Sequence, residues 1–456
     1  MKNNTFFKLF IIIILALILR LWFIDKPEGL WNDEYFGWLI ASQKDWNKFF
    51  EYVFNNCHTP FYYFYLKAWL LIFPDTDVSL RLSSVLPSIL SIPVMFVIGK
   101  KIRDINTGLL AAILTAISSF NIYFAQEMRL YSLLFLFSAL VILFFIKSLQ
   151  EKSRFSIFMY FFFNALLCAT HTLGIIFSFF NIAALIYCLF GEKESFKDKL
   201  KALLRLSKYI IPFIIVLILL CPLLVSIATS KSLYQFWSDF SIAKIFFTFM
   251  DYFSPIQTNI STSPDSISAY MYFNSKINYQ FIIFGVLPLI IAIIGIIKCI
   301  SNKNKLINVL LITSGLFYLT LICFSLMGKM VLSTKYSIEM YPVLIIAATV
   351  GLLSFKRDSI KNILIILFIG LNLTYIIESP TSAPKQTRPE GHRAVVELIK
   401  NSRLKPHEKV ILTMLCSIMT IITKLFITGK YYINHFLKHS RMMFFKNTLM
   451  TTLKPR

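Results

Sequence analysis

A chain of 456 residues that is 57% hydrophobic and only 15% charged, with a mean hydropathy of +0.68, lacks the surface a soluble domain needs, since such domains carry about a quarter charged residues. Its net charge of +23 would suggest nucleic acid in a soluble protein. Here the Lys and Arg residues collect in short links between apolar runs, the pattern of loops that face anionic lipid, and nucleic acid is set aside as a partner. The seven Cys are scattered without zinc or disulfide spacing, and the 14 Gly form neither a phosphate-cradling loop nor a nucleophile elbow.

Residues 7–24 form the first predicted span. No small-x-small cleavage site follows Lys2 and Lys8, so the span reads as a retained signal anchor with the N-terminus inside. A first outer loop, 25–80, then carries Asn32-Asp33-Glu34 and Cys57-His58-Thr59-Pro60. Within it, 59–74 is short, is bounded by Pro60 and Pro74, and has Lys67 in its middle. It is expected to lie at the interface or re-enter, with Lys67 reaching the headgroups; a tilted short span is the alternative.

Further spans are predicted at 81–99, 107–125, 130–146, 155–172, 173–190, 209–227, 280–299, 306–326, 339–354 and 361–378, about eleven in all. With 59–74 not crossing, each dense basic cluster falls on the cytoplasmic side: Lys100, Lys101 and Arg103, then Lys147 to Arg154, then Lys193 to Lys208, Lys298 to Lys305, and Lys356 to Lys361. The same register brings Asp33, Glu34, His58, Glu127, Arg129, His171, Lys329 and Lys335 to the opposite, outer side. A second outer loop, 228–279, is rich in aromatic residues and suits helices at headgroup level. The region 381–456 forms a short basic outer tail that resembles the start of a small α/β domain. His435 and His439 lack the Glu of a zincin motif and read as a solvated face.

Two adjacent acids repel each other near a low-dielectric surface, so Asp33 and Glu34 are the leading functional residues. A carboxylate of this kind can take the proton from an attacking hydroxyl, while Arg and Lys hold a phosphate leaving group. Taken singly, Glu127 with Arg129 could be an interfacial ion pair, His58 and His171 satisfied interfacial histidines, and Lys67, Lys329 and Lys335 lipid anchors.

The order Arg20-Leu-Trp, Asn32-Asp33-Glu34, His58-Thr-Pro60, Ser79-Leu-Arg81, Gly99-Lys-Lys and Ala125-Gln-Glu127-Met-Arg129-Leu-Tyr131 resembles that of GT-C membrane glycosyltransferases. It is most like the protein mannosyltransferase and aminoarabinose transferase group, glycosyltransferase family 39. The likeness covers roughly the first 190 residues, and the later spans by architecture. It implies an all-α polytopic GT-C bundle with interfacial helices in its outer loops. It also implies an inverting transfer of a sugar from a polyprenyl-phosphate carrier to a lipid, glycan or protein acceptor.

In that likeness Asp33 is the general base and Glu34 orients a substrate. His58 occupies the position of a His-Pro-Pro or Lys-Pro-Pro motif, with Thr59 replacing the first Pro. The phosphate charge then falls to Lys67, Arg129 or Lys335, and Lys335-Tyr336 resembles the family's Arg-Tyr. Glu127 is the second acidic position, and His171 is grouped with the substrate-binding set. No cofactor is assigned, and the gathered acids and histidines leave a divalent metal open. The Ile, Phe and Lys bias suggests a bacterial inner membrane and an undecaprenyl carrier. A lipid or sugar transporter and a non-catalytic envelope scaffold are the competing readings.

Overall fold

The computed structural model describes residues 2–54, 59–151, 153–189, 208–211, 213–222, 225, 240, 242–256, 279–328 and 331–386. The chain divides into two compact units. One comprises Met1–Lys26 with Asn32–Thr387, and the other Pro27–Trp31 with Arg388–Arg456. Of the second, only Pro27–Trp31 is described, where Gly29 turns the chain with φ of 75°. Of the tail expected at 381–456 as an α/β stub, only 381–386 is described, and Cys57, His58, Lys329, His435 and His439 lie outside the described residues.

The described residues of the first unit form helices joined by turns, with no strand among them. Helices lie at ten of the expected span positions, and the eleventh, 209–227, is described only in part. Among the described residues six are long and apolar enough to cross a membrane, and a bent pair counted as one span makes a seventh. The remaining apolar helices run 10–17 residues, so among the described residues length and composition support a multi-pass membrane protein with six or seven clear spans, against the eleven expected. Helix α1 (Lys2–Leu21) packs against α5 (Asp77–Ile102) and α6 (Ile105–Ile117) through Ile12, Ala16, Ile92, Phe96, Ala112 and Ala116. Gly99 and Gly108 let α5 and α6 approach closely, since a Cβ on Gly108 would meet the Phe96 carbonyl oxygen at 2.5 Å.

Between α1 and α5 lie α2 (Asn32–Ala41), α3 (Trp46–Phe54) and α4 (Phe61–Ile72). Helix α3 buries Phe49 and Val53 and exposes Trp46, Phe50 and Phe54, the two-faced pattern of an interfacial helix. Helix α4 has 12 residues, about 18 Å of rise, well short of a roughly 30 Å bilayer core.

The span expected at 107–125 is broken. Helix α6 ends at Ile117, and α7 (Ser119–Ala125) leaves it at 55°. Ser118 takes an extended conformation and caps α7 by accepting from Asn121 N. Carbonyls freed by such a break need donors, and the fully buried Arg20 provides them. It donates to Ala116 O (2.9 Å), Thr115 O (3.3 Å) and the Ser88 hydroxyl (2.8 Å). Gln126 at the end of α7 donates back to Arg20 O and Trp22 O. The first helix thereby fixes where the 126–130 segment begins.

Helix α8 (Tyr131–Gln150) is followed by α9 (Arg154–Thr170) and α10 (Leu173–Leu189), a hairpin turning at His171-Thr172. In the second loop, the described residues form α11 (Ile242–Phe253). It buries Lys244, Phe247, Asp251 and Tyr252 because Tyr252 stacks on Tyr341 at 4.5 Å and bonds the Ser337 hydroxyl. A π-helical turn (Phe281–Val286), α12 (Leu287–Ser301) and α13 (Lys305–Leu326) follow. Two 3-10 turns, Thr334–Tyr336 and Ile338–Met340, lead into α14 (Tyr341–Leu352), and α15 is Asp358–Glu378.

Candidate active site

The site is built from segments between the long helices at one end of the bundle: the start of α2, residues 126–131, the α9–α10 turn and the turns at 334–340. Asp33 and Glu34 occupy the first turn of α2, where the helix dipole favours acids. Successive helical residues point about 100° apart, and this separates the pair. Glu34 shares the inward stripe with Gly37, Ile40 and Ala41 and is fully buried, whereas the Asp33 side chain is 39% exposed.

Glu34 is fixed on both oxygens. Arg81 donates Nε to Oε1 (3.1 Å) and Nη2 to Oε2 (3.0 Å), and Met128 N donates to Oε1 (2.8 Å). Burial pushes the Glu34 carboxyl up, and Arg81 and Met128 N pull it back. The nearby Glu127, itself buried, opposes the Glu34 charge. Arg81 also reaches Ile24 O, so one guanidinium ties α5 to the chain on both sides of the α2 entry.

Asp33 faces a different cation. Arg129 Nη2 lies 3.3 Å from Asp33 Oδ2, and Nη1 donates to the Asp33 carbonyl at 3.1 Å. The Arg129 backbone is held from below by the Ser84 hydroxyl, which donates to its carbonyl and accepts from its N–H. Its guanidinium sits over the Tyr131 ring at 5.9 Å. The hydroxyls of Tyr131 and Tyr62 are buried here without hydrogen-bond partners among the described residues.

Lys335 enters from the far end of the sequence, its ammonium 5.2 Å from the Tyr336 ring. Burial opposes its charge, but Tyr131, Tyr336 and Asp33 outweigh that and hold its pKa above the ordinary lysine value, against the repulsion of Arg129. His171, at the hairpin turn, stacks on Tyr336 with ring centroids 5.6 Å apart, and its Nδ1 accepts from Leu173 N. Burial, aided by Arg129 and Lys335, pushes the imidazole down to about 3, so it is neutral at physiological pH.

The fold thus joins Asp33, Glu34, Glu127, Arg129, His171 and Lys335. Lys67 turns elsewhere: it donates to Ala41 O and Gln43 O and lies over the rings of Trp46 and Phe49, stapling α4 to the α2–α3 link. Arg81, Tyr62, Tyr131 and Glu339 carry no individual role in the sequence reading. An Arg in the first turns of an apolar span was the available signal for Arg81, and an acid at the head of a span for Glu339. Among the described residues no group of three or more His, Cys, Asp or Glu is placed to hold a metal ion.

Residues 57–225 match the sequence model of the dolichyl-phosphate-mannose-protein mannosyltransferase family. The oligosaccharyltransferase of Archaeoglobus fulgidus, solved in complex with Zn and sulfate, superposes with a TM-score of 0.52 at 12% identity, over 89% of this chain and 57% of that one. Its apo form gives 0.51 at 11% identity, over 90% and 59%. This chain has a GT-C fold. The resemblance drawn from the sequence is borne out at that level. ArnT from Cupriavidus metallidurans in the apo state is a further similar structure, with a TM-score of 0.47 at 12% identity over 76% of this chain and 60% of that one. The GT-C chain described here therefore spans 57–60% of the length of these solved relatives. No curated protein matches it.

Proposed function

We propose that the protein transfers a sugar, with inversion, from a polyprenyl-phosphate carrier to an acceptor hydroxyl on the extracytoplasmic face. The observation that carries this reading is the division of labour at the start of α2. Glu34 is saturated by Arg81, while Asp33 stays accessible beside Arg129. In a single displacement the acceptor oxygen attacks the anomeric carbon, Asp33 takes its proton, and the bond from that carbon to the phosphate oxygen breaks. Negative charge then grows on the departing polyprenyl phosphate, where Arg129 and Lys335 stabilise it. Glu34 acts by orienting α2, and Glu127 and His171 line the same end.

The match of residues 57–225 to a family described by its dolichyl-phosphate donor supports a polyprenyl-phosphate carrier. The placement of basic links at the opposite end of the spans supports an outer-face site and, in a bacterium, an inner-membrane enzyme using undecaprenyl phosphate. The acceptor is a lipid, glycan or protein hydroxyl.

A broken helix with a buried Arg20 favours a transporter reading. Arg20 is, however, consumed by carbonyls of the break. One experiment separates the readings: transfer of labelled sugar from a polyprenyl-phosphate donor by the purified full chain and by Asp33→Asn. Transfer lost in the variant at unchanged membrane yield supports the enzyme; equal transfer by both refutes Asp33 as base.

A further inference from the structure

Two tyrosine hydroxyls at the site end of the bundle, those of Tyr62 and Tyr131, are buried without a hydrogen-bond partner among the described residues. Burying a hydroxyl in that condition is unfavourable. Tyr62 borders Arg129 and Glu34, whereas Tyr131 borders Arg129 and Lys335 together. Tyr131 is the first residue of α8, and its ring is held without help from its hydroxyl. Phe124 of α7 packs against the ring with centroids 4.6 Å apart, and the Arg129 guanidinium lies over it at 5.9 Å. The adjacent Ser132 hydroxyl donates to Phe124 O at 3.1 Å, which fixes the start of α8 on α7. Packing thus sets the position of the Tyr131 hydroxyl, and the hydroxyl itself contributes nothing to that packing.

The charged groups that act on this hydroxyl are Lys335, Arg129 and Asp33, with Tyr336 beside them. Lysine and arginine side chains carry donors only, so neither offers an acceptor to the Tyr131 proton. The Asp33 carboxylate faces Arg129 at 3.3 Å, and both Glu34 oxygens are engaged by Arg81 and Met128 N. Two cations and an O–H therefore converge from three separate segments: the link before α8, the first residue of α8 and the turn at Thr334–Tyr336. Such a donor set suits an oxyanion with several acceptor oxygens. A phosphate monoester supplies three terminal oxygens to the three donors.

We infer that the Tyr131 hydroxyl is a third ligand of the carrier phosphate, donating to one of its oxygens beside Arg129 and Lys335. This rests on the transfer reading above for the identity of the carrier. The hydroxyl keeps its proton throughout, and no covalent bond to it forms or breaks. Its hydrogen bond exists only in the loaded site, so removing the hydroxyl weakens carrier binding and leaves the empty protein intact. A tyrosine that serves the fold has the reverse signature, because its bond is made before any ligand arrives.

The test uses full-length protein in phosphatidylcholine nanodiscs, comparing wild type with Tyr131→Phe and Tyr160→Phe. Tyr160 is a buried tyrosine of α9, roughly 16 Å of helix from the His171 turn. Undecaprenyl phosphate is titrated, and binding is read as a rise in unfolding temperature. Without ligand, Tyr131→Phe is expected to unfold within about 2 °C of wild type or above it. Its affinity for undecaprenyl phosphate should be about 10–100-fold weaker, the scale of one hydrogen bond to a charged group, while Tyr160→Phe keeps the wild-type affinity. Undecaprenol, which lacks the phosphate, should not distinguish Tyr131→Phe from wild type. Inorganic phosphate at the same concentration should give a smaller rise than the carrier, and added phosphatidylglycerol should shift all three proteins equally.

Equal carrier affinity in wild type and Tyr131→Phe, or no carrier binding by wild type, would overturn the inference. A lower unfolding temperature of the empty Tyr131→Phe protein, beyond that 2 °C window, would assign the hydroxyl to the fold and overturn it as well. A matching loss of undecaprenol affinity would do the same by assigning the effect to the ring. A Tyr131-dependent rise with phosphatidylglycerol, or an equal rise with inorganic phosphate, would give the site to another ligand. The transfer reading fails separately. Tyr131-dependent carrier binding with no sugar transfer by wild type would keep the ligand role and refute the enzyme; transfer with Tyr131-independent carrier binding would do the opposite.

Discussion

Arg81 and Glu34 lie 47 residues apart and meet through two parallel hydrogen bonds of 3.1 and 3.0 Å, with side chains 2% and 0% exposed. Removing one member of a buried pair leaves the other charge uncompensated, at a cost of about 3–5 kcal/mol. Arg81→Ala and Glu34→Ala are each expected to lower yield and unfolding temperature sharply. Arg81→Lys should rescue only part of the loss, because an ammonium does not reproduce the two-pronged geometry. Thermal unfolding of the detergent-solubilised protein measures both.

Asp33 presents the opposite case. Its side chain is 39% exposed, and its partner Arg129 is separately held through its backbone by Ser84. Asp33→Asn should keep the unfolding temperature within about 2 °C while reducing kcat by about 10²–10⁴-fold, the scale of lost general-base catalysis. Donor KM should move little.

Arg129→Ala is expected to raise donor KM by about 10–100-fold, the equivalent of losing a charge-assisted contact of about 1.5–3 kcal/mol. Arg129→Lys should fall between. Lys67→Ala, by contrast, should lower the unfolding temperature by releasing Ala41 O and Gln43 O, with donor KM unchanged. Kinetic titrations with a labelled donor distinguish the two lysine-and-arginine roles.

His171 gives a signed pH prediction. Its pKa falls from 6.5 to about 3 on folding, so the unfolded chain binds more protons between those values. The stability it contributes is present above about pH 6.5 and is lost as pH falls toward 3. Cooling of the unfolding midpoint between pH 7 and 4 should be smaller in His171→Asn than in wild type.

Gly351 faces Gly295 so closely that a Cβ on it would lie 1.6 Å from the Gly295 carbonyl oxygen. Gly351→Ala should force α12 and α14 apart and cost about 1–3 kcal/mol. Gly315→Ala, with nothing within 4 Å of the new methyl, should be neutral or slightly stabilising. Unfolding midpoints of the two variants provide the comparison.

The membrane class was legible because apolar run length and basic links follow directly from bilayer thickness and lipid charge. The acid pair was legible because polar residues are few in such a chain. Which acid stays accessible depends on the phase of α2, and that phase is set by Arg81 and Met128, partners far away in sequence. The break at Ser118 carries no Pro or Gly to announce it; it persists because Arg20 and Tyr341 satisfy the opened turn. Lys67 and Lys335 look alike as isolated lysines near apolar runs. Only the carbonyls of Ala41 and Gln43 around the first, and the tyrosines around the second, tell them apart.

The 3.3 Å contact between Asp33 and Arg129 has a meaning in time as well as in space. Both residues are translated early, whereas Lys335 emerges after a further interval of roughly 10–40 s at about 5–20 residues per second. At that rate both members of the pair have been synthesised well before Lys335 is added to the chain. The acid and its partner thus both belong to the early-made part of the chain, and the second cation belongs to the part made last.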